Sequence, residues 1–187
     1  MSPFDLRHSF VANVNYVLPF ASDASGLKAI AAKEWNVGML VRMRSGYPFS
    51  AISGVDTGLQ VQGWAPEYPD LKPGASANPV LGTVDHWFDP NAFVLPPAGY
   101  IGTLPRNTII GPDMKTVDLI VGKSVPIGGK RELQFRFECF NLLNRANFGL
   151  PQNQVFNANG TVREDAGRIT TTSTAARQIQ LGIKAVW

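Results

Sequence analysis

Two histidines, a lone cysteine and a glycine pair beside a lysine are the residues of this chain with the best claim to chemistry. His8 and His86 lie far apart, in no HxH or HxxxH spacing and near no cysteine pair, so no zinc-type ligand set is written here. Cys139 excludes an internal disulfide and falls within "LQFRFECF", where a small apolar strand residue is expected. "GGKRE" lacks the upstream glycine of a phosphate loop and reads as a hairpin turn. No serine lies in a GxSxG elbow, and no carboxylate pair is set apart for acid–base work. "HWFDPNAF" (86–93) carries an Asp-Pro-Asn turn between aromatics and is expected to be a packed loop corner. The expectation is a protein without catalytic residues, metal or tightly bound cofactor.

What the residues do show is alternation. Five segments have period-2 patterning, and none has sustained helical periodicity. Phe4, Leu6, Phe10, Ala12, Val14, Tyr16 and Leu18 alternate with polar residues in the first. Trp35, Val37, Met39, Val41 and Met43 do so in the second, and Val117, Leu119, Val121 and Val125 in the third. The fourth sets Leu133, Phe135, Phe137 and Cys139 against Glu132, Gln134, Arg136 and Glu138. The fifth sets Ile179, Leu181, Ile183, Ala185 and Trp187 against Gln178, Gln180, Gly182 and Lys184. These predict strands over 4–18, 35–47, 114–127, 131–143 and 177–187, an all-β antiparallel up-and-down meander. A three-residue Gly128-Gly129-Lys130 turn would put Ile127 opposite Arg131, Val125 opposite Leu133 and Val121 opposite Phe137, so the apolar faces coincide.

Connection lengths alternate. Residues 20–34 make a mid-length link, with "LKAIAAKEW" able to form a helical turn or two, and the third and fourth strands meet at the tight turn. Residues 48–113 and 145–176 are long and strand-poor, and the first holds ten of the fourteen prolines. A structureless loop above sixty residues is foreign to a compact soluble domain. It suits an outer-membrane barrel, where periplasmic turns are short and extracellular loops long. The lipid-facing set would then be Val37, Val41, Leu133, Phe135, Phe137, Ile179, Leu181 and Ile183. Arg42, Arg44, Asp118, Glu132, Arg136, Glu138, Gln178, Gln180 and Lys184 would face the lumen. Trp35 and Trp187 are placed at the periplasmic interface and Tyr47 at the outer one. The rival is a soluble sheet with one solvated face, such as a β-sandwich or lipocalin-like carrier.

Composition agrees with a folded chain: 44% hydrophobic, 17% charged, net charge +3. No Lys/Arg block exceeds Lys130-Arg131, so a nucleic-acid partner is not expected. No run approaches the ~20 apolar residues of a membrane helix, and "MSPFDLRHSF" does not read as a secretory leader.

Together "FDLRHSFVANVNYVLPF" (4–20), "RSGYPFS" (44–50), "FDPNAF" (88–93) and "GTLPRNTIIGPDMKTVDLIVGKSVPI" (102–127) carry a family likeness, joined by "LQFRFECFNLLNRANFGLP" (133–151) and "GRITTTSTAARQIQLGIKAVW" (167–187). The chain resembles the C-terminal part of TonB-dependent outer-membrane receptors of the Oar-like group, whose N-terminal domain is carboxypeptidase-regulatory-like. The resemblance implies a transmembrane barrel of roughly 22 strands, a plug and a TonB box, of which this chain would supply the last five strands, two outer loops and the C-terminal assembly signal at Trp187. It implies outer-membrane lipid, the rest of the receptor barrel and plug, the barrel-assembly machinery and, through the plug, TonB as partners, with solute uptake at the cell outer membrane as the function. Five strands cannot close a barrel, so 4–18 and 177–187 are expected as edges. The link 20–34 departs from the family pattern in lacking a Gly-Gly-Trp entry. A non-transporting adhesive or structural barrel is the alternative. Trp64, Tyr68, Trp87, Asn91 and Tyr100 are the loop residues with ligand-suited groups.

Overall fold

The computed structural model describes residues 1–19, 26, 32–59 and 66–187. In chain order the strands are β1 (Ser9–Val17), β2 (Trp35–Arg44), the two-residue β3 (Pro48–Phe49), β4 (Asp70–Leu71), β5 (Phe93–Val94) and β6 (Ile109–Ile110), then β7 (Met114–Gly128), β8 (Arg131–Phe140) and β9 (Gln178–Val186). The five long strands form one sheet in the order β1-β2-β7-β8-β9, the predicted meander, with β1 and β9 at its edges. Most of "LKAIAAKEW", where a helical turn or two is expected, lies outside the described residues.

Register follows the apolar pattern. Phe10 faces Met43, Ala12 faces Val41, Val14 faces Met39 and Tyr16 faces Val37. Val125 meets Leu133, Val121 meets Phe137 and Leu119 meets Cys139. On the far side of β8, Phe135 meets Ile183, Phe137 meets Leu181 and Cys139 meets Ile179. The turn itself differs from the expected three-residue loop. Gly128 pairs with Arg131 across two turn residues, and the register shifts between Pro126 and Gly128, leaving Ile127 as an extra residue. Gly128 and Gly129 both have positive φ (+107° and +64°), as so tight a reversal requires. The bulge restores what a two-residue loop alone would have spoiled, apolar opposite apolar.

Strand ends are shorter than the alternation suggests. Phe4 and Leu6 are not in β1, because the hydroxyl and carbonyl of Ser2 accept from the Phe4 and Asp5 amides and close a turn. β2 stops at Arg44, so Tyr47 is not a sheet residue; its carbonyl accepts from the Gly111 amide. A Cβ on Gly46 would lie 1.7 Å from the Gly111 oxygen, so only glycine permits the approach that seats β3 against β6. β8 stops at Phe140 because Asn141 takes a left-handed backbone, φ +49°.

The chain divides into two compact units. One is the sheet unit: Ser9–Arg44, Lys115–Ala146 and Thr174–Trp187. The other comprises Met1–His8, Ser45–Met114 and Asn147–Ser173, and so gathers most of both long connections. These connections are irregular as expected, yet they enclose a core of their own. Phe49, Ala51, Phe88, Ala92, Phe93, Leu104, Ile109, Val155 and Phe156 are buried together. The Phe88 ring lies 6.0 Å from Phe49 and 5.9 Å from Phe93, edge-on to the latter. Backbone bonds stitch the two segments: Ile52 N–H to the Asn153 carbonyl, Val155 N–H to the Ile52 carbonyl and Ile169 N–H to the Val84 carbonyl.

Carboxylates fasten the turns of this unit. Glu67 accepts from the amides of Thr57 and Gly58, and Asp70 from the amide and hydroxyl of Thr103. Arg163 donates twice to Asp165, at 2.9 and 2.8 Å, and this hydrogen bonding holds the Asp165 carboxyl below its ordinary range.

Candidate functional site

The five-stranded sheet has two chemically opposed faces, each assembled from alternate residues of every strand. Val37, Val41, Leu133, Phe135, Phe137, Ile179, Leu181 and Ile183 share one face. Along β9 this face is bare: Ile179, Leu181 and Ile183 are 61%, 81% and 72% exposed. Trp187, one residue beyond β9, is 90% exposed. Arg42, Arg44, Glu132, Arg136, Glu138, Gln178, Gln180 and Lys184 stand on the other face. The sequence patterning thus separates the two sets as the backbone does.

The polar face is level, and glycine makes it so. Gly38 pairs with Asn15, whose amide oxygen would lie 2.8 Å from a Cβ on the glycine. Asn36 lies over Gly122 in the same way, and Arg136 is the ladder partner of both Gly122 and Gly182. Long polar side chains therefore lie across missing ones. A groove of about 740 Å³ runs over this surface, lined by Asn15, Asn36, Ser124, Gln134, Arg136 and Lys184 among others. Its polar groups include amides, a hydroxyl and cations, set among apolar residues such as Ile120 and Phe135. Polar groups are partnered locally: Glu132 accepts from the Gln134 amide, and Arg136 reaches Glu138 at 3.2 Å.

The strongest polar node joins β2, β7 and the end of β8. Asp118 is 5% exposed, and its carboxylate takes the Arg42 guanidinium at 2.7 Å and the Asn141 amide at 2.8 Å. Asn141 in turn donates to the carbonyls of Arg145 and Ala175 and accepts from the Arg145 amide. Asn144, also left-handed at φ +50°, accepts from the Arg177 amide. The "FNLLNR" stretch is therefore a clasp that ends β8 and receives the chain on its way into β9. Asp118→Ala removes two charge-assisted bonds and leaves a buried N–H without its acceptor. With Arg42 half-exposed and able to resolvate, the expected loss is about 2 kcal/mol, seen as a lower urea midpoint of the folded protein. Asp118→Asn, which keeps an acceptor for Asn141, should lose less.

Several loop residues that invited a binding role are packing residues. Phe88 and Phe93 of the "FDPNAF" corner are core, and Asp89 caps the Pro90–Ala92 turn by accepting from the Asn91 amide. Trp87 packs against the core and donates its indole N–H to the Ile110 carbonyl. Tyr68 packs there too, with the Arg106 guanidinium 5.3 Å above its ring. Tyr100 is exposed, and Trp64 lies outside the described residues. Lys123 and Ile120 escape the alternation pattern: each has the wrong polarity for its face, and only the neighbours seen in three dimensions explain them. Ile120 lies beside Gly38, where it fills the space of the absent side chain. Lys123 turns to Trp35.

A family model described as an outer membrane beta barrel domain matches residues 1–180. No curated protein and no solved structure matches the chain.

Proposed function

The chain belongs to the outer membrane beta barrel domain family, and from that premise we propose that it forms five consecutive strands in the barrel of a TonB-dependent, Oar-like receptor. As a barrel protein of the outer membrane it meets lipid, which removes the ground for a soluble carrier. The bare apolar face of β9, set back to back with the polar face, carries the reading. In water such a face would be a liability, whereas against acyl chains it is the expected exterior of a barrel.

In this reading Val37, Val41, Leu133, Phe135, Phe137, Ile179, Leu181 and Ile183 face lipid. Arg42, Arg44, Glu132, Arg136, Glu138, Gln178, Gln180 and Lys184 face the lumen. β1 and β9 are unsatisfied edges that pair with the remaining strands of the receptor, since five strands cannot close a barrel. The connections 48–113 and 145–176 lie outside the cell, where they receive the solute, and TonB drives its entry through the plug. Uptake by the full-length receptor should vanish on deletion of its TonB box while the protein remains in the outer membrane. Uptake that survives the deletion would reject energy-coupled transport.

A second reading is favoured by one observation. The two long connections share a buried aromatic core, as a binding head would and a pair of mobile loops would not. A non-transporting adhesive barrel would use such a head on a partner outside the cell, and the same deletion would leave its adhesion intact.

A further inference from the structure

The apolar face of the sheet is interrupted on β7. Lys123 stands on it between Val121 and Val125, in register with Phe135. Its ammonium donates to the Lys33 carbonyl at 2.6 Å and lies 5.0 Å from the centre of the Trp35 ring, at the first residue of β2. An ammonium has three N–H groups and can serve more than one acceptor. Among acyl chains such a charge is expensive, while the four-carbon stem beneath it is apolar. A lysine so placed belongs where hydrocarbon ends and headgroups begin, and a tryptophan beside it belongs at the same depth.

A second lysine fixes the other limit. Lys115 occupies the same strand face eight positions earlier, with Val117, Leu119 and Val121 between. Eight residues of strand rise about 27 Å. At the ~40° tilt of barrel strands this is about 20 Å along the membrane normal, close to the ~25 Å apolar band of such barrels.

We infer that the bilayer boundary on the turn side crosses β7 at Lys123, whose ammonium sits among phospholipid phosphates with Trp35 alongside, and that 115–123 is the part of β7 in hydrocarbon. The proposal rests on the lipid-facing assignment of this face. It also refines that assignment. Val125 and its partner Leu133 stand at headgroup level, and the Ile127 bulge with the Gly128-Gly129 reversal projects into the periplasm.

The test is a depth profile. In a Cys139→Ala background, Leu119→Cys, Val125→Cys, Ile127→Cys and Ser124→Cys each receive an environment-sensitive dye. The full protein is then refolded into phosphatidylcholine–phosphatidylglycerol vesicles whose lipids carry bromine either near the headgroup or near the chain end. The dye at position 119 should be quenched several-fold more by deep bromine than by shallow. At 125 shallow bromine should dominate, and at 127 and 124 neither should act. Lys123→Leu should shift position 125 towards deep quenching, and Lys123→Arg should not. Deep quenching at 127 equal to that at 119 would overturn the boundary while leaving the face assignment intact. An unchanged profile in Lys123→Leu would overturn the role of Lys123. Equal quenching at 119 and 124 would instead overturn the face assignment on which the proposal rests. If Lys123→Leu does not fold, the profile with Lys123 present still decides where the boundary lies.

Discussion

Phe137→Arg is expected to weaken outer-membrane assembly by about 2–4 kcal/mol, while Gln134→Arg is expected to be tolerated. The two positions are three residues apart on one strand and differ in face. Phe137 sits between Val121 on β7 and Leu181 on β9, with Phe135 and Cys139 as same-face neighbours along β8. A guanidinium there has donors and nothing in hydrocarbon to receive them. The strand cannot escape by slipping one residue, because that would turn every apolar partner of β8 to the wrong side at once. Gln134 lies between Ser124 and Lys184 on the polar face, beside the Glu132 carboxylate. An added cation there meets water and a ready anion. The folded fraction in a heat-modifiability gel and the yield in the outer-membrane fraction check both. Equal tolerance, or equal loss, would reject the proposed division of the faces.

Phe88→Ala is expected to destabilise the loop unit by about 3–5 kcal/mol, the usual range for emptying a buried phenyl site. Phe88 is fully buried and links Phe49, at the start of the β2–β7 connection, to Phe93 at its middle. Its backbone is held as well: Val80 bridges to it, and a Cβ on Gly167 would come within 2.9 Å of its carbonyl oxygen. Such a fixed frame has little freedom to collapse around the cavity, which argues for the upper part of the range. Limited proteolysis within 45–114 reports the opening equilibrium when reclosing is fast, and 3 kcal/mol corresponds to roughly a hundredfold faster cleavage. Phe88→Leu should fall well short of that. Cleavage of Phe88→Ala at the rate of the parent protein would show that this core does not hold the connections together.

Where local pattern and global fold obey the same rule, the sequence was readable. Alternation on β8 foretold its faces, and matching Val125 to Leu133 foretold the β7–β8 register. The bulge was not readable, because "PIGGK" does not reveal which of its residues drops out of the ladder. Phe4 and Leu6 kept the alternation going past a point where Ser2 had already turned the chain. The loop core was hidden for a different reason. Phe49, Phe88, Ile109 and Val155 lie on irregular backbone with no shared period, and only backbone bonds such as Val155 to Ile52 bring their segments side by side. Lys123 was hidden by its neighbours, since a single cation within a run of valines and leucines leaves the pattern looking apolar. Its place became intelligible once the Trp35 ring and the Lys33 carbonyl were found around it.

The core that Phe49, Phe88 and Ile109 share with Val155 and Phe156 makes the two long connections one inheritable object. Neither can be transplanted to another barrel alone, since each would arrive with half an interior. An exchange of this unit between barrels must move both segments together, across the intervening hairpin that remains behind.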